Sequence, residues 1–142
     1  MAKLFRYCLL VLGLIAGLAE AQEPAPGLYD RPVLVLDPGR HMAPISRADV
    51  DRDGRYVVTG SDDKTVRVWS VGDGALLRTI RMPAGPGHIG KIYAVAIDPE
   101  GEVVAAGGWT GPNGEAKNIH LFDRTSGAMI GRLEGLPMWS SI

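Results

Sequence analysis

Shifted by 47 residues, the chain falls on itself. "HMAPISRADVDRDGRYVVTGSDD" (41–63) lies on "HIGKIYAVAIDPEGEVVAAGGWT" (88–110) without a gap, so that His41 meets His88, Ile45 meets Ile92, Asp51 meets Asp98, Gly54 meets Gly101 and Gly60 meets Gly107. Beyond this block the shift becomes 53, and "TVRVWSVGDGALLRTI" (65–80) lies on "NIHLFDRTSGAMIGRL" (118–133), with Trp69 on Phe122, Gly74 on Gly127 and Ile80 on Leu133. The second copy carries six extra residues within "TGPNGEAK" (110–117). A copied module of this length constrains the fold strongly, because each copy must be a supersecondary unit that buries its faces against its neighbours.

Within each copy the pattern is β rather than helical. Short β-branched and apolar runs ("YVVTG" 56–60, "TVRVWSV" 65–71, "ALLRTI" 75–80) alternate with turn signals such as "RDG", "SDD" and "GDG". The spacing predicts strands at 45–51, 56–61, 65–71 and 75–82, and again at 92–98, 102–108, 118–124 and 128–134. The expected fold class is all-β, with two four-stranded antiparallel propeller blades, 41–82 and 88–135. "VLVL" at 33–36 reads as one further N-terminal strand.

"ADVDRDGR" (48–55) poses a separate question, because Asp49, Asp51, Asp53 and Gly54 open like a calcium loop. Position 12 of such a loop must supply a bidentate carboxylate, and here it is Gly60. The copies of Asp49 and Asp53 are Ala96 and Glu100, so the alternation is not repeated. A hairpin corner is the expected structure, its glycine taking a positive φ. No metal, cofactor or catalytic residue is expected.

The first copy resembles a WD-repeat unit. Its "GSDDKTVRVWS" (60–70) keeps nearly all of that family's "GS-x-D-x-T-V-x-V-W-D" core, with Ser70 in place of the last aspartate. "GHIGKIYAVAIDPEGEVVAAGG" (87–108) resembles the start of a second unit, in which Phe122 replaces the tryptophan while Asp123 is kept. The resemblance implies a buried network tying the first blade, with His41, Thr59 or Ser61, Asp63 and Trp69 as its members. The physics agrees: a buried indole N–H needs an acceptor, and an Asp–His pair needs both partners satisfied. The second blade has His88 but no matching aspartate, so its network is expected to be broken. His120, opposite Arg67 in the alignment, is expected to point outward.

The resemblance also implies that the propeller is incomplete. Rings typically use 4–8 blades, whereas this sequence holds two and the start of a third unit at 136–142. In this family the first strand often completes the last blade, which would be the role of 33–36. The expectation is an amino-terminal fragment of a longer exported bacterial protein.

Export rests on the first residues. Lys3 and Arg6 precede an apolar run from Tyr7 to Ala19, and Ala19-Glu20-Ala21 supplies a small-x-small cleavage site before Gln22. Residues 1–21 therefore read as a signal peptide, too short for a stable membrane span, and 22–32 as a proline-rich disordered linker. The protein would be periplasmic or secreted. Cys8 is the single cysteine and lies in the segment to be removed, so core packing alone must hold the rest. Without Lys3, Arg6 and Glu20, the 15 basic and 16 acidic residues become 13 and 15, a net charge of −2 with no basic patch. Nucleic acid is not an expected partner.

What remains is interaction. Trp109, Asn113 and Glu115 mark the inserted loop as the candidate partner contact, because binding residues concentrate on loops. The expected function is a non-catalytic exported scaffold for protein–protein contact, its partners unidentified, with self-association through unpaired blade edges. The rival readings are the amino-terminal propeller part of a larger exported enzyme, such as a caspase-like protease, and an inactive truncated remnant.

Overall fold

A computed structural model describes residues 27–110 and 118–134. The expected signal peptide, the start of the linker and the start of a third unit at 136–142 lie outside the described residues. Eight strands follow in order: β1 Ile45–Val50, β2 Tyr56–Ser61, β3 Thr65–Ser70, β4 Leu76–Arg81, β5 Ile92–Ile97, β6 Val103–Gly108, β7 Ile119–Asp123 and β8 Met129–Leu133. They form two antiparallel four-stranded meanders, β1-β2-β3-β4 and β5-β6-β7-β8. Each strand falls within about a residue of the position its sequence pattern predicts. The copies share even their irregularities, since the register slips between Ile45 and Arg47 and again between Ile92 and Ala94.

The core lies where the two sheets stack. Val58, Val66 and Val68 of the first blade face Ile92, Ile97, Val104 and Phe122 of the second, and all are buried. Gly60 permits this approach: a Cβ there would lie 2.6 Å from Val95 Cγ1 and 2.7 Å from Ile92 Cγ2. β5 therefore seats on the open backbone of β2 as a larger residue would not allow. Polar links fasten both ends of the seam. The Ile97 N–H donates to Asp49 Oδ2 at 2.9 Å, and Lys91 Nζ donates to Asp62 Oδ2 at 2.7 Å. At the opposite end the Arg124 guanidinium lies 4.0 Å from the Tyr56 ring centroid.

Two expectations need correction. Residues 33–36 form no strand, and their side chains are exposed, Leu34 by 91%. A strand exists through its ladder partner, and neither sheet takes this run at an edge. The segment is tied instead through Asp37, which accepts from buried Arg67 at 2.8 Å. His120 does not point outward either, being 1% exposed. In stacked blades the two faces of a strand look toward two neighbours, not toward core and water, so a polar residue in the alternation is not thereby exposed.

Candidate functional site

The first blade brings its predicted network together. Trp69 on β3 donates its indole N–H to Thr59 Oγ1 on β2 at 2.9 Å. Thr59 Oγ1 lies 2.8 Å from His41 Nε2, and His41 Nδ1 lies 2.8 Å from Asp63 Oδ2. With a carboxylate as terminal acceptor the direction follows: indole to hydroxyl, hydroxyl to imidazole, imidazole to carboxylate. Thr59 rather than Ser61 is the link. Ser61 instead donates to the Ala43 carbonyl and accepts from the Asp63 N–H, both at 3.1 Å. Thr65 is a member that the sequence alone did not single out, donating its hydroxyl to Asp63 Oδ1 at 2.6 Å. Burial pushes the Asp63 carboxyl up, but the Thr65 hydroxyl, the Met42 N–H and His41 outweigh it and hold the group below the usual range. Every polar atom of the His–Asp pair is thus occupied in holding the β2–β3 turn to the chain entering β1.

The three alternating aspartates serve three separate purposes. Asp51 closes the β1–β2 corner: its Oδ1 accepts the Arg55 and Tyr56 N–H groups at 2.7 and 2.9 Å, and its Oδ2 accepts Arg55 Nε at 3.0 Å. Asp49 reaches across to β5, and exposed Asp53 pairs loosely with Arg55 at 3.6 Å. Asp98 repeats the corner in the second blade, accepting the Glu102 and Val103 N–H groups at 2.6 and 2.9 Å. Gly54 and Gly101 take φ of 66° and 74° at these corners.

The second blade has other residues at the network positions. Trp69, Thr59 and Asp63 correspond to Phe122, Ala106 and Thr110. Phe122 and Ala106 are buried in the apolar core. Thr110 ties the base of the insertion, donating to the Asn118 carbonyl at 2.6 Å and accepting the Asn118 N–H at 3.1 Å. His88 is exposed and turned to Trp109, the ring centroids 6.1 Å apart.

Trp109 stands at this corner 37% exposed. It donates its indole N–H to the Tyr93 hydroxyl at 2.6 Å, the two rings meeting edge-on at 72°. Beside them opens a mainly apolar cavity of about 280 Å³, floored by Ala94, Gly107 and Ile119. Tyr93 was missed in the sequence; its only signal is an aromatic beside the β5 bulge. Asn113 and Glu115, the other candidate contacts, lie outside the described residues. Among the described residues no cluster of His, Cys, Asp and Glu could hold a metal, and no helix is long and apolar enough to cross a membrane.

Comparison with known proteins agrees with this geometry. Residues 32–70 and 74–123 match the model of the WD domain, G-beta repeat. A bromodomain and WD repeat-containing protein of Dictyostelium discoideum is 44% identical over 65 residues, which are 46% of this chain and 3% of that protein. The small ribosomal subunit protein RACK1y of Oryza sativa subsp. japonica is 33% identical over 78 residues, 55% of this chain and 20% of its own. These relatives are eukaryotic, so the expected bacterial source is not borne out by them. Structures of the RRP9 WD40 repeats and of U3-55K share the fold, each with a TM-score of 0.55 at 23% identity over 68% of this chain. The chain spans a fifth or less of those relatives and just over a quarter of those structures. WD-repeat proteins are typically scaffolds for protein interaction. With two stacked four-stranded meanders, a Trp–Thr–His–Asp chain of hydrogen bonds and a family match over more than half its length, this chain belongs to the WD40 repeat family.

Proposed function

We propose that the chain is a non-catalytic scaffold for protein–protein contact, working outside the cytoplasm, and that its contact surface is carried by the second blade. The observation behind this reading is the Trp109–Tyr93 pair beside its apolar cavity. Trp and Tyr are enriched where interfaces concentrate their binding energy, because each offers a large rigid surface with one polar tip. Here the Tyr93 hydroxyl accepts the indole N–H, so the Trp109 ring surface is presented with its donor satisfied. The first blade has nothing comparable: the counterpart of Trp109 is Asp62, used in the seam to Lys91.

Capture of proteins from the exported fraction tests the reading. Wild-type chain is compared with Trp109→Ala and with a form lacking 111–117, which keeps Thr110 because that residue ties the base of the loop. Loss of specific captured proteins on Trp109→Ala is the expected result; an unchanged set would overturn the surface assignment. Amino-terminal sequencing of exported protein should begin at Gln22, and an intact Met1 in that fraction would overturn signal cleavage.

A further inference from the structure

The segment 29–37 crosses the end of the first blade as a strap tied at both ends. At one end the Tyr29 N–H donates to the Ala84 carbonyl at 3.0 Å. At the other, Asp37 accepts from Arg67 at 2.8 Å and from Arg81 at 3.3 Å. Between these ties the strap walls a mainly apolar hollow of about 210 Å³, with Tyr29, Val33 and Val35 on its side and Met82 and Ala84 beyond β4 on the other. The hollow lies at the end of the sheet, where the β2–β3 turn contributes Asp63 and Lys64.

Lys64 is placed there by its backbone. Its φ of 69° is the one positive value outside glycine among the described residues, in a region that side chains seldom allow. Neighbours hold it so: the Lys64 N–H donates to the Ser61 carbonyl and the Lys64 carbonyl accepts the Met82 N–H, both at 3.2 Å. The side chain turns to the loop after β4, where Nζ donates to the Gly85 carbonyl at 2.6 Å and lies 5.9 Å from the Tyr29 ring centroid. The carboxylates at this end of the blade are engaged elsewhere. Asp63 accepts from His41, Thr65 and the Met42 N–H, Asp62 pairs with Lys91, and Asp37 holds the two arginines. Burial, with the charge of Lys91 adding to it, holds Lys64 below the ordinary 10.5 of its amine. Lys91 is held above that value by its bond to Asp62. An amine withdrawn from water beside a second cation is the arrangement that makes a lysine nucleophilic near neutral pH.

We propose that Lys64 is a covalent site for small apolar aldehydes, held as an imine with the hydrocarbon chain in the hollow. The neutral Nζ attacks the carbonyl carbon, forming an N–C bond while the carbonyl electron pair moves to oxygen, and a proton passes from nitrogen to that oxygen. The C–O bond of this carbinolamine then breaks. The hydroxyl leaves as water with the second proton from nitrogen, and a C=N bond remains. One water is released, and nothing is oxidised or reduced. Burial of the chain against Val33, Val35 and Met82 favours the bound form over hydrolysis. Nothing in this site draws on the Trp109 surface, so it stands apart from the scaffold reading.

Reductive trapping on the purified full-length chain tests this. The protein is treated with butanal and cyanoborohydride near neutral pH, which reduces each imine to a stable secondary amine, and peptide mapping by mass spectrometry locates the label. Lys64 should be labelled severalfold faster than Lys91 or Lys117. Val33→Asp alters a strap position that is 51% exposed, so the thermal transition by circular dichroism should be unchanged. It should abolish the lead of Lys64, because it sets a carboxylate beside the amine and a charge where the chain would lie. Glycolaldehyde, whose hydroxyl gains nothing from apolar walls, should give wild-type Lys64 a smaller lead than butanal does. The proposal is overturned if Lys64 is labelled no faster than the other two lysines, if a folded Val33→Asp chain keeps the full lead, or if glycolaldehyde gives the same lead as butanal.

Discussion

The first and second blades share strand order, corner geometry and bulge positions, yet they are held at corresponding places by different chemistry. In the first, indole, hydroxyl, imidazole and carboxylate form one chain of hydrogen bonds. In the second, Phe122 and Ala106 fill the corresponding positions with hydrocarbon, and a short Thr110–Asn118 tie replaces the aspartate. A buried polar network is an advantage only when every member is satisfied, because in a low-dielectric interior each unpaired group is costly. In the second blade the indole, hydroxyl and carboxylate are all absent, so no half-satisfied network is left behind. His88, left without acceptor or aspartate, is found outside with Trp109.

Substitutions can break or sharpen this contrast. The largest effect is expected in the apolar blade: Phe122→Ala should cost about 3–5 kcal/mol, the range for removing a buried aromatic ring, measured by denaturant unfolding. Asp63→Ala should follow at about 3 kcal/mol, because it leaves His41, Thr65 and two backbone N–H groups without their acceptor. Its counterpart Thr110→Ala should cost only about 1 kcal/mol. If the two cost the same, the first blade's network is no stronger than the second blade's tie. Gly60→Ala should cost about 2 kcal/mol by overpacking the seam, whereas Gly107→Ala should leave chemical stability near wild type in dilute, monomeric protein.

A pH dependence separates the blades by range. Burial pushes the His120 imidazole below its ordinary value of 6.5, with Arg132 adding to the shift. The unfolded chain then binds the proton first. Between pH 6.5 and the carboxylate range, stability should fall as pH drops, by at most about 1.4 kcal/mol per unit, and His120→Leu should abolish the slope in that window. Asp63 is shifted below its ordinary 3.8, so its contribution is present above that value and is lost as pH falls through the lower folded value. Stability curves in which the His120→Leu chain still slopes between pH 6.5 and the carboxylate range would place the buried titration elsewhere.

The strands were legible because turn residues and β-branched runs are local signals, and because the repeat allowed each to be read twice. His41, Asp63 and Trp69 were legible through the motif they stand in. The choice between Thr59 and Ser61 was not, since both lie on the same side of β2 and only the cross-strand register puts Thr59 diagonal to Trp69. Tyr93 escaped notice because its hydroxyl acquires meaning only when Trp109, sixteen residues on, folds back to it.

The sequence by itself determined a copied four-strand module, its corners at Asp51-Gly54 and Asp98-Gly101, and the insertion that distinguishes the second copy. Those features depend on neighbouring residues and on glycine's access to positive φ. The tertiary structure alone decided that His120 is buried, that 33–36 pairs with neither sheet, and that Gly60 is covered by β5 while Gly107 faces a cavity. Alternation assigns side chains to two faces of a strand, but what each face meets depends on which sheet stacks upon it.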